Sequence, residues 1–292
     1  MPQRLAFIGL GIMGGPMAGH LRAAGNPLVI NTRTQSRAAD LLARGATWAP
    51  FPADAADGAD VIFLCLPDTP DVEAVLLGDN GVIGSAKPGE IVVDHSTISP
   101  AATRAMAAKL RDRDITLLDA PISGGDVGAK NATLSIMVGG DAHAFATVEP
   151  LLRMMGKTIT HCGDAGTGQL TKLVNQILVT VTNLATCEAL TFAKKNGLDL
   201  SKTITALAGG AAGSWQWANL GPKMIAGDFA PGFTIDLQQK DLRLVMEAAR
   251  ASASPVPAAS LVHQLFTSAQ EMGNGKEGTQ ALYKVVQSLA AT

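Results

Sequence analysis

The chain is poor in several things at once. Aromatic residues fill 4% of its 292 positions, with a single tyrosine, and charged residues fill 16%. Cysteine is scarce: Cys65, Cys162 and Cys187 are far apart and odd in number. That excludes a disulfide framework and a paired-cysteine zinc site, and it predicts a reducing compartment. The histidines His20, His95, His143, His161 and His263 are scattered without metal-ligand spacing, so no metal is expected. Neither sign of charge dominates, with 23 Lys and Arg against 25 Asp and Glu and a formal net charge of −2. Without a basic stripe interleaved with aromatics, nucleic acid is not expected as a partner.

A membrane segment is not expected either. The most apolar stretch, Gln176–Ala193, carries Asn183, Glu188 and several threonines, which suits a buried helix better than a membrane span. Arg4 followed by Leu5–Met17 imitates a short signal peptide, but Gly9, Gly11, Gly14 and Gly15 break up the would-be apolar helix. A cytoplasmic protein is the expectation.

What the chain does have is apolar content, 47%, and 31 glycines. Such a dense, little-charged composition predicts that some of the apolar surface is buried between subunits. Short apolar runs occur at Leu5–Ile8, Leu28–Ile30, Val61–Leu66, Ile91–Val93, Thr116–Leu118, Leu134–Val138 and Thr158–His161. Helix-like stretches lie between most of them: Gly14–Ala24, Ser36–Arg44, Thr69–Leu77, Pro100–Arg113 and Ala142–Leu152. Strand–helix alternation with continuous apolar strands predicts a mainly parallel sheet covered on both faces. After Gly163–Gly168 the rhythm turns helical: Gln169–Lys195, Ser201–Leu207, Ser214–Ala226, Ile235–Ala253, Pro257–Met272 and Gly278–Ala290. The expected fold is an α/β, Rossmann-type domain over residues 1–163, followed by an all-α domain over residues 164–292.

The glycine run Gly9-Leu-Gly11-Ile12-Met13-Gly14 joins the first strand to the first helix. Gly9 allows the tight turn, Gly11 lets backbone approach a pyrophosphate, and Gly14 lets helix pack on strand. The helix N-terminus, with Ile12 and Met13 at its entry, faces the phosphates. The second strand ends in Asn31-Thr32-Arg33-Thr34, where NAD sites usually carry an acid. Arg33 suits a 2′-phosphate, with Asn31, Thr32 and Thr34 donating hydrogen bonds and Arg37 within reach, so NADP is preferred and NAD possible.

Carbonyl reduction needs a proton donor. Lys172 sits early in the long helix, with Asn175 and Gln176 three and four residues on and sharing its face. Desolvation there is expected to ease its proton exchange near neutrality. Asp119-Ala-Pro-Ile-Ser-Gly-Gly125 follows a strand, and the N–H groups of Ser123, Gly124 and Gly125 suit a substrate carboxylate.

These motifs, together with Phe233-Thr-Ile-Asp-Leu-Gln-Gln-Lys240-Asp-Leu242, resemble those of the β-hydroxyacid dehydrogenase family along nearly the whole chain. Its members include 3-hydroxyisobutyrate dehydrogenases and tartronate semialdehyde reductases. The resemblance implies that Lys172 is the catalytic lysine and that Ser123, Gly124, Gly125 and Asn175 bind substrate. It implies that Leu66, Pro67, Asp71 and Thr97 line the nicotinamide-ribose side, and that Lys240 reaches cofactor or substrate. Many members carry two consecutive asparagines where this chain has Asn175-Gln176, which bears on substrate identity. Gly210-Ala-Ala-Gly-Ser214 resembles tartronate semialdehyde reductases, while Trp215-Gln-Trp217 is bulkier and is expected either to narrow a substrate pocket or to pack as core. The expected activity is interconversion of a short carboxylated semialdehyde and its 3-hydroxy acid. The alternatives are an imine reductase of similar architecture, against which the lysine argues, and a non-catalytic NADPH-binding scaffold.

Overall fold

Alternate residues of the apolar strands bury into two separate cores, as the two-residue period of a strand demands. Leu5, Phe7, Val61, Phe63, Ile91 and Val93 pack into one core. Ala6, Ile8, Ile62, Leu64 and Val92 pack into the other. This is why these strands read as unbroken apolar runs: neither face meets water.

The computed structural model describes residues 2–290. Their elements begin with β1 (Leu5–Ile8), α1 (Gly14–Ala23), β2 (Leu28–Asn31), α2 (Ala39–Ala43), β3 (Thr47–Trp48), α3 (Pro52–Ala56), β4 (Val61–Leu64) and α4 (Thr69–Leu77). They continue with β5 (Ile91–Asp94), α5 (Pro100–Arg111), β6 (Thr116–Asp119), β7 (Ile122–Ser123), α6 (Gly125–Lys130), β8 (Leu134–Gly139), α7 (Ala142–Leu152) and β9 (Gly156–Gly163). Strands β3-β2-β1-β4-β5-β6 lie side by side and parallel. The order reverses between β1 and β4, the switch point where doubly wound sheets bind ligands. Beyond β6 the sheet changes: β8 pairs antiparallel with β6 and β7, and β9 pairs parallel with β8.

Helices follow: α8 (Thr167–Lys195), α9 (Leu200–Ala208), α10 (Gly221–Ala226), α11 (Ile235–Ala251), α12 (Pro257–Glu271) and α13 (Leu282–Ala290). The predicted Ser214–Ala226 helix opens with a π turn, Gln216–Leu220, ahead of α10. After α8 the described residues pair only through an isolated bridge, Thr234 with Gly278. Leu184, Cys187, Leu190, Trp217, Leu242, Phe266 and Tyr283 belong to the core of these helices.

The chain divides into two compact units, one ending at Lys172 and the other starting at Leu173. The sequence-based boundary at Gly163 therefore falls before the structural one. The cause is local: the N–H groups of Gly166 and Gln169 are held by the Asp119 carboxylate, so the first turn of α8 belongs with the sheet. Four short elements, β3, α3, β7 and α6, lie in stretches to which the sequence pattern assigns no element. Helix α8, expected as a buried helix over Gln176–Ala193, buries one of its faces. It is long and apolar enough to cross a membrane by length and composition, and 44% of that apolar window is buried. One stripe, including Leu173, Gln176, Thr180, Leu184, Cys187 and Leu190, is buried, while Leu170, Val174, Leu178 and Phe192 are exposed.

Candidate active site

The glycines of the β1–α1 turn differ in what surrounds them. Gly9 has φ +99°, and a Cβ there would meet the Cys65 carbonyl oxygen at 2.3 Å. A Cβ on Gly14 would lie 2.0 Å from the Gly9 carbonyl oxygen, so strand and helix touch through backbone. A Cβ on Gly11 would meet nothing within 4 Å: its surroundings are open, as a phosphate cradle requires. Helix α1 has no side-chain cap and no acidic residue in its first turn, leaving its N-terminus fit for anionic ligands. Ile12 is exposed and Met13 half-buried at that entry. These features fit a dinucleotide pyrophosphate.

The end of β2 departs from expectation in two respects. Asn31 is buried and its amide donates to the Ala49 carbonyl at 2.9 Å, so it braces the strand end instead of offering that group to a ligand. Thr32 is half-buried and Thr34 exposed. Arg33 extends into solvent, but its Nη1 lies 3.2 Å from Asp71 Oδ1. Asp71, in the first turn of α4, is thus in contact with a residue that follows β2. The Arg33–Asp71 contact joins positions whose pairing no local spacing announces.

Thr97 sits in the loop after β5, between buried Ser96 and Ile98. The Leu66 N–H donates to Ser96 Oγ at 2.8 Å, tying the loops after β4 and β5 together, with Pro67 exposed beside them. Gln169, in the first turn of α8, straddles Thr97. Its Nε2 donates to the Ser96 carbonyl at 2.8 Å, and its Oε1 accepts from the Ile98 N–H at 3.1 Å. Asp119 clamps the same turn: Oδ1 accepts from Gly166 at 2.7 Å and Oδ2 from Gln169 at 2.8 Å. Burial pushes the Asp119 carboxyl pKa up, against the lowering effect of these N–H donors. A Cβ on Gly168 would meet the carbonyl oxygens of Met137 and Asp119 at 2.4 and 2.7 Å, so only glycine lets the helix start here.

One turn beyond Gln169 lies Lys172, whose residue exposure is 8%. Helical spacing puts Asn175 and Gln176 on its face. Gln176 is buried, and its Nε2 donates to Asp241 Oδ2. Asp241, 1% exposed, also contacts the Lys240 ammonium, Nζ to Oδ1 2.6 Å. Spacing alone gives Asp119, Gln169 and Asp241 no role; they are polar residues near candidate site residues, and all three are buried.

The Ser123-Gly-Gly125 turn is built as glycine requires, with φ +136° at Gly124 and +63° at Gly125. Ser123 ends β7, and Gly124 precedes the first residue of α6. The tryptophan pair divides. Trp217 is buried and donates its Nε1–H to the Ile204 carbonyl at 3.1 Å, a core role, whereas Trp215 is 57% exposed. The described residues contain no cluster of three or more metal-ligating side chains.

A glycine turn open at Gly11, a switch point beside it and a buried lysine in a clamped helix define a nicotinamide-dependent oxidoreductase. Comparison with known proteins narrows this. Residues 4–163 match the NAD binding domain of 6-phosphogluconate dehydrogenase, and residues 166–286 the NAD-binding region of NADP-dependent 3-hydroxyisobutyrate dehydrogenase. The 2-hydroxy-3-oxopropionate reductase of Escherichia coli strain K12 is 42% identical over 99% of this chain and 98% of its own. An NAD-dependent L-serine dehydrogenase of Pseudomonas aeruginosa is 38% identical over 98% and 97%. A crystal structure of a 3-hydroxyisobutyrate dehydrogenase from Salmonella typhimurium superposes with TM-score 0.88 at 32% identity, covering 97% of this chain and 99% of that one. The chain belongs to the β-hydroxyacid dehydrogenase family, of the 3-hydroxyisobutyrate dehydrogenase and tartronate semialdehyde reductase type. It is an NAD(P)-dependent hydroxyacid dehydrogenase.

Proposed function

We propose that this enzyme is an NADP(H)-preferring reductase of a short carboxylated semialdehyde, of the tartronate, methylmalonate or succinate type, and of the reverse oxidation of the 3-hydroxy acid. The observation that carries the reading is Lys172: buried, and one turn past a helix start clamped by Asp119 and Gln169. The bound nicotinamide supplies the hydride. Lys172 donates a proton to the carbonyl oxygen as it becomes an alkoxide, and takes one from the hydroxyl in the reverse direction. Aldehyde, hydride and proton together make the alcohol, so no metal is called for.

Ser123 Oγ and the N–H groups of Gly124 and Gly125 receive the substrate carboxylate. Asn175 holds a substrate oxygen, while Asp241 fixes the Gln176 amide and the Lys240 ammonium in orientation. Trp215, exposed, bounds the substrate site, and Lys240 reaches cofactor or substrate. Gly9, Gly11, Ile12, Met13 and Gly14 hold the pyrophosphate, with Leu66, Pro67 and Thr97 beyond it. Arg33 carries the NADP preference, supported by Thr32. The exposed stripe Leu170, Val174, Leu178 and Phe192 supports a homodimer or homotetramer. The sparse cysteines support a cytoplasmic location.

The test is initial rates of NADPH and NADH oxidation over a panel of carboxylated semialdehydes, for wild type and Lys172→Ala. The substitution should lower kcat about a hundredfold or more, as loss of a general acid does, with NADPH binding kept. Tight NADPH binding by a wild type that reduces no semialdehyde would sink the proposal.

A further inference from the structure

Arg33 and Asp71 reach each other from different elements, the end of β2 and the first turn of α4. The two partners are held unequally. Asp71 sits in a helical turn started by the Asp68 carboxylate, which accepts the Thr69 N–H at 2.7 Å, and by a proline near the helix start. A carboxylate there is also favoured by the helix dipole. The Arg33 side chain is 83% exposed, against 29% for Asp71. The acid is therefore the more firmly held partner, and the guanidinium stands on a long, exposed stem.

An NAD-type site carries its acid at the end of the second strand. In this chain that position has an arginine, and an acid stands 3.2 Å from it, contributed by α4. We propose that Asp71 is a specificity-determining residue that restrains discrimination between NADPH and NADH by competing with the cofactor 2′-phosphate for Arg33. This rests on Arg33 being the 2′-phosphate contact. A guanidinium grips a phosphate best with its fork open. Here one arm of that fork already meets a carboxylate, and a phosphate arriving at Arg33 brings its charge close to the Asp71 oxygens. Against a neutral 2′-hydroxyl neither penalty applies, and the pair stays intact.

The experiment is equilibrium titration of NADPH and of NADH, followed by protein and nicotinamide fluorescence, on wild type, Asp71→Asn, Arg33→Ala and the double variant. Asp71→Asn should tighten NADPH about three- to tenfold, the scale of a solvent-screened charge contact, and leave NADH within about twofold. In the Arg33→Ala background most of that gain should vanish. NADPH affinity unchanged or weakened by Asp71→Asn, or a full gain persisting without Arg33, overturns the proposal. Arg33→Ala reports separately on the underlying reading: it should weaken NADPH about tenfold or more with NADH little changed. If it does not, Arg33 is not the phosphate contact, whatever Asp71 does. Circular dichroism of each variant separates loss of fold from loss of binding.

Discussion

The sheet-bearing unit and the helical unit differ in how far their polar side chains bond to one another. In the first, they bond mainly to backbone: Asp119 to the N–H groups of Gly166 and Gln169, Gln169 to Ser96 and Ile98, His95 to the Ala120 carbonyl, Asn31 to the Ala49 carbonyl. In the second, Thr180, Asn183 and Gln280 likewise bond to backbone carbonyls, but linked sets of side chains are present as well. Gln176, Asp241 and Lys240 form one set; His263, Gln239, Thr267, Gln270 and Asp236 form another. A side chain that grips backbone needs only its own identity preserved. A network of side chains needs every member, and a change to one is felt by the rest.

The largest effect that would test this contrast is Asp119→Ala. It strips buried N–H groups of their acceptor and should cost about 3–4 kcal/mol, measured by urea unfolding, with a fall in kcat as the helix start loosens. A loss below about 1 kcal/mol, the net worth of one ordinary hydrogen bond, would mean the clamp is replaceable.

His95 comes next. It is stacked on Phe63 and fully buried, and burial pushes its pKa down to about 4. The folded state keeps the imidazole neutral while the unfolded chain protonates it near its ordinary value. Its stabilising effect is therefore complete above about pH 6.5 and fades as pH falls toward about 4, a loss of about 3 kcal/mol at most. Asp119, with a raised pKa, acts in the opposite sense as pH drops. Comparing the pH dependence of wild type with that of His95→Gln cancels the acid and isolates the histidine. The variant should show the shallower decline, and equal slopes would place the acid sensitivity elsewhere.

Smaller still, Asp241→Asn should cost about 2 kcal/mol, the scale of hydrogen bonds to a charged group. Because it loosens both Gln176 and Lys240, it should raise KM more than it lowers kcat; a pure stability effect with both constants intact would leave Asp241 structural. Gln169→Leu should cost about 2 kcal/mol and shift kcat more than NADPH affinity, since the start of the lysine helix loosens while the glycine turn stays.

The same contrast governs what was legible in the sequence. The strands of the first unit announce themselves because both faces are buried, and Gly9 and Gly14 because backbone crowding leaves room for no other residue. The elements missed were too short for a period to show: two residues in β3 and five in α3. The helical unit is visible as helices, but nothing in the spacing says that Gln176 meets a residue on α11. The Arg33–Asp71 contact was illegible for the same reason: it is set by strand order, which brings β4 beside β1 and so α4 toward the end of β2. Trp217, bulky and next to a glycine-rich segment, looked like a pocket residue as readily as the core residue it is.

The Gln169 clamp has a consequence for redesign. It grips the Ser96 carbonyl and the Ile98 N–H, groups that every residue except proline at 98 supplies. The loop carrying Thr97 can therefore be re-lettered to suit a different ligand without cutting its tether to the lysine helix. Altering Gln169 itself severs that tether whatever the loop contains.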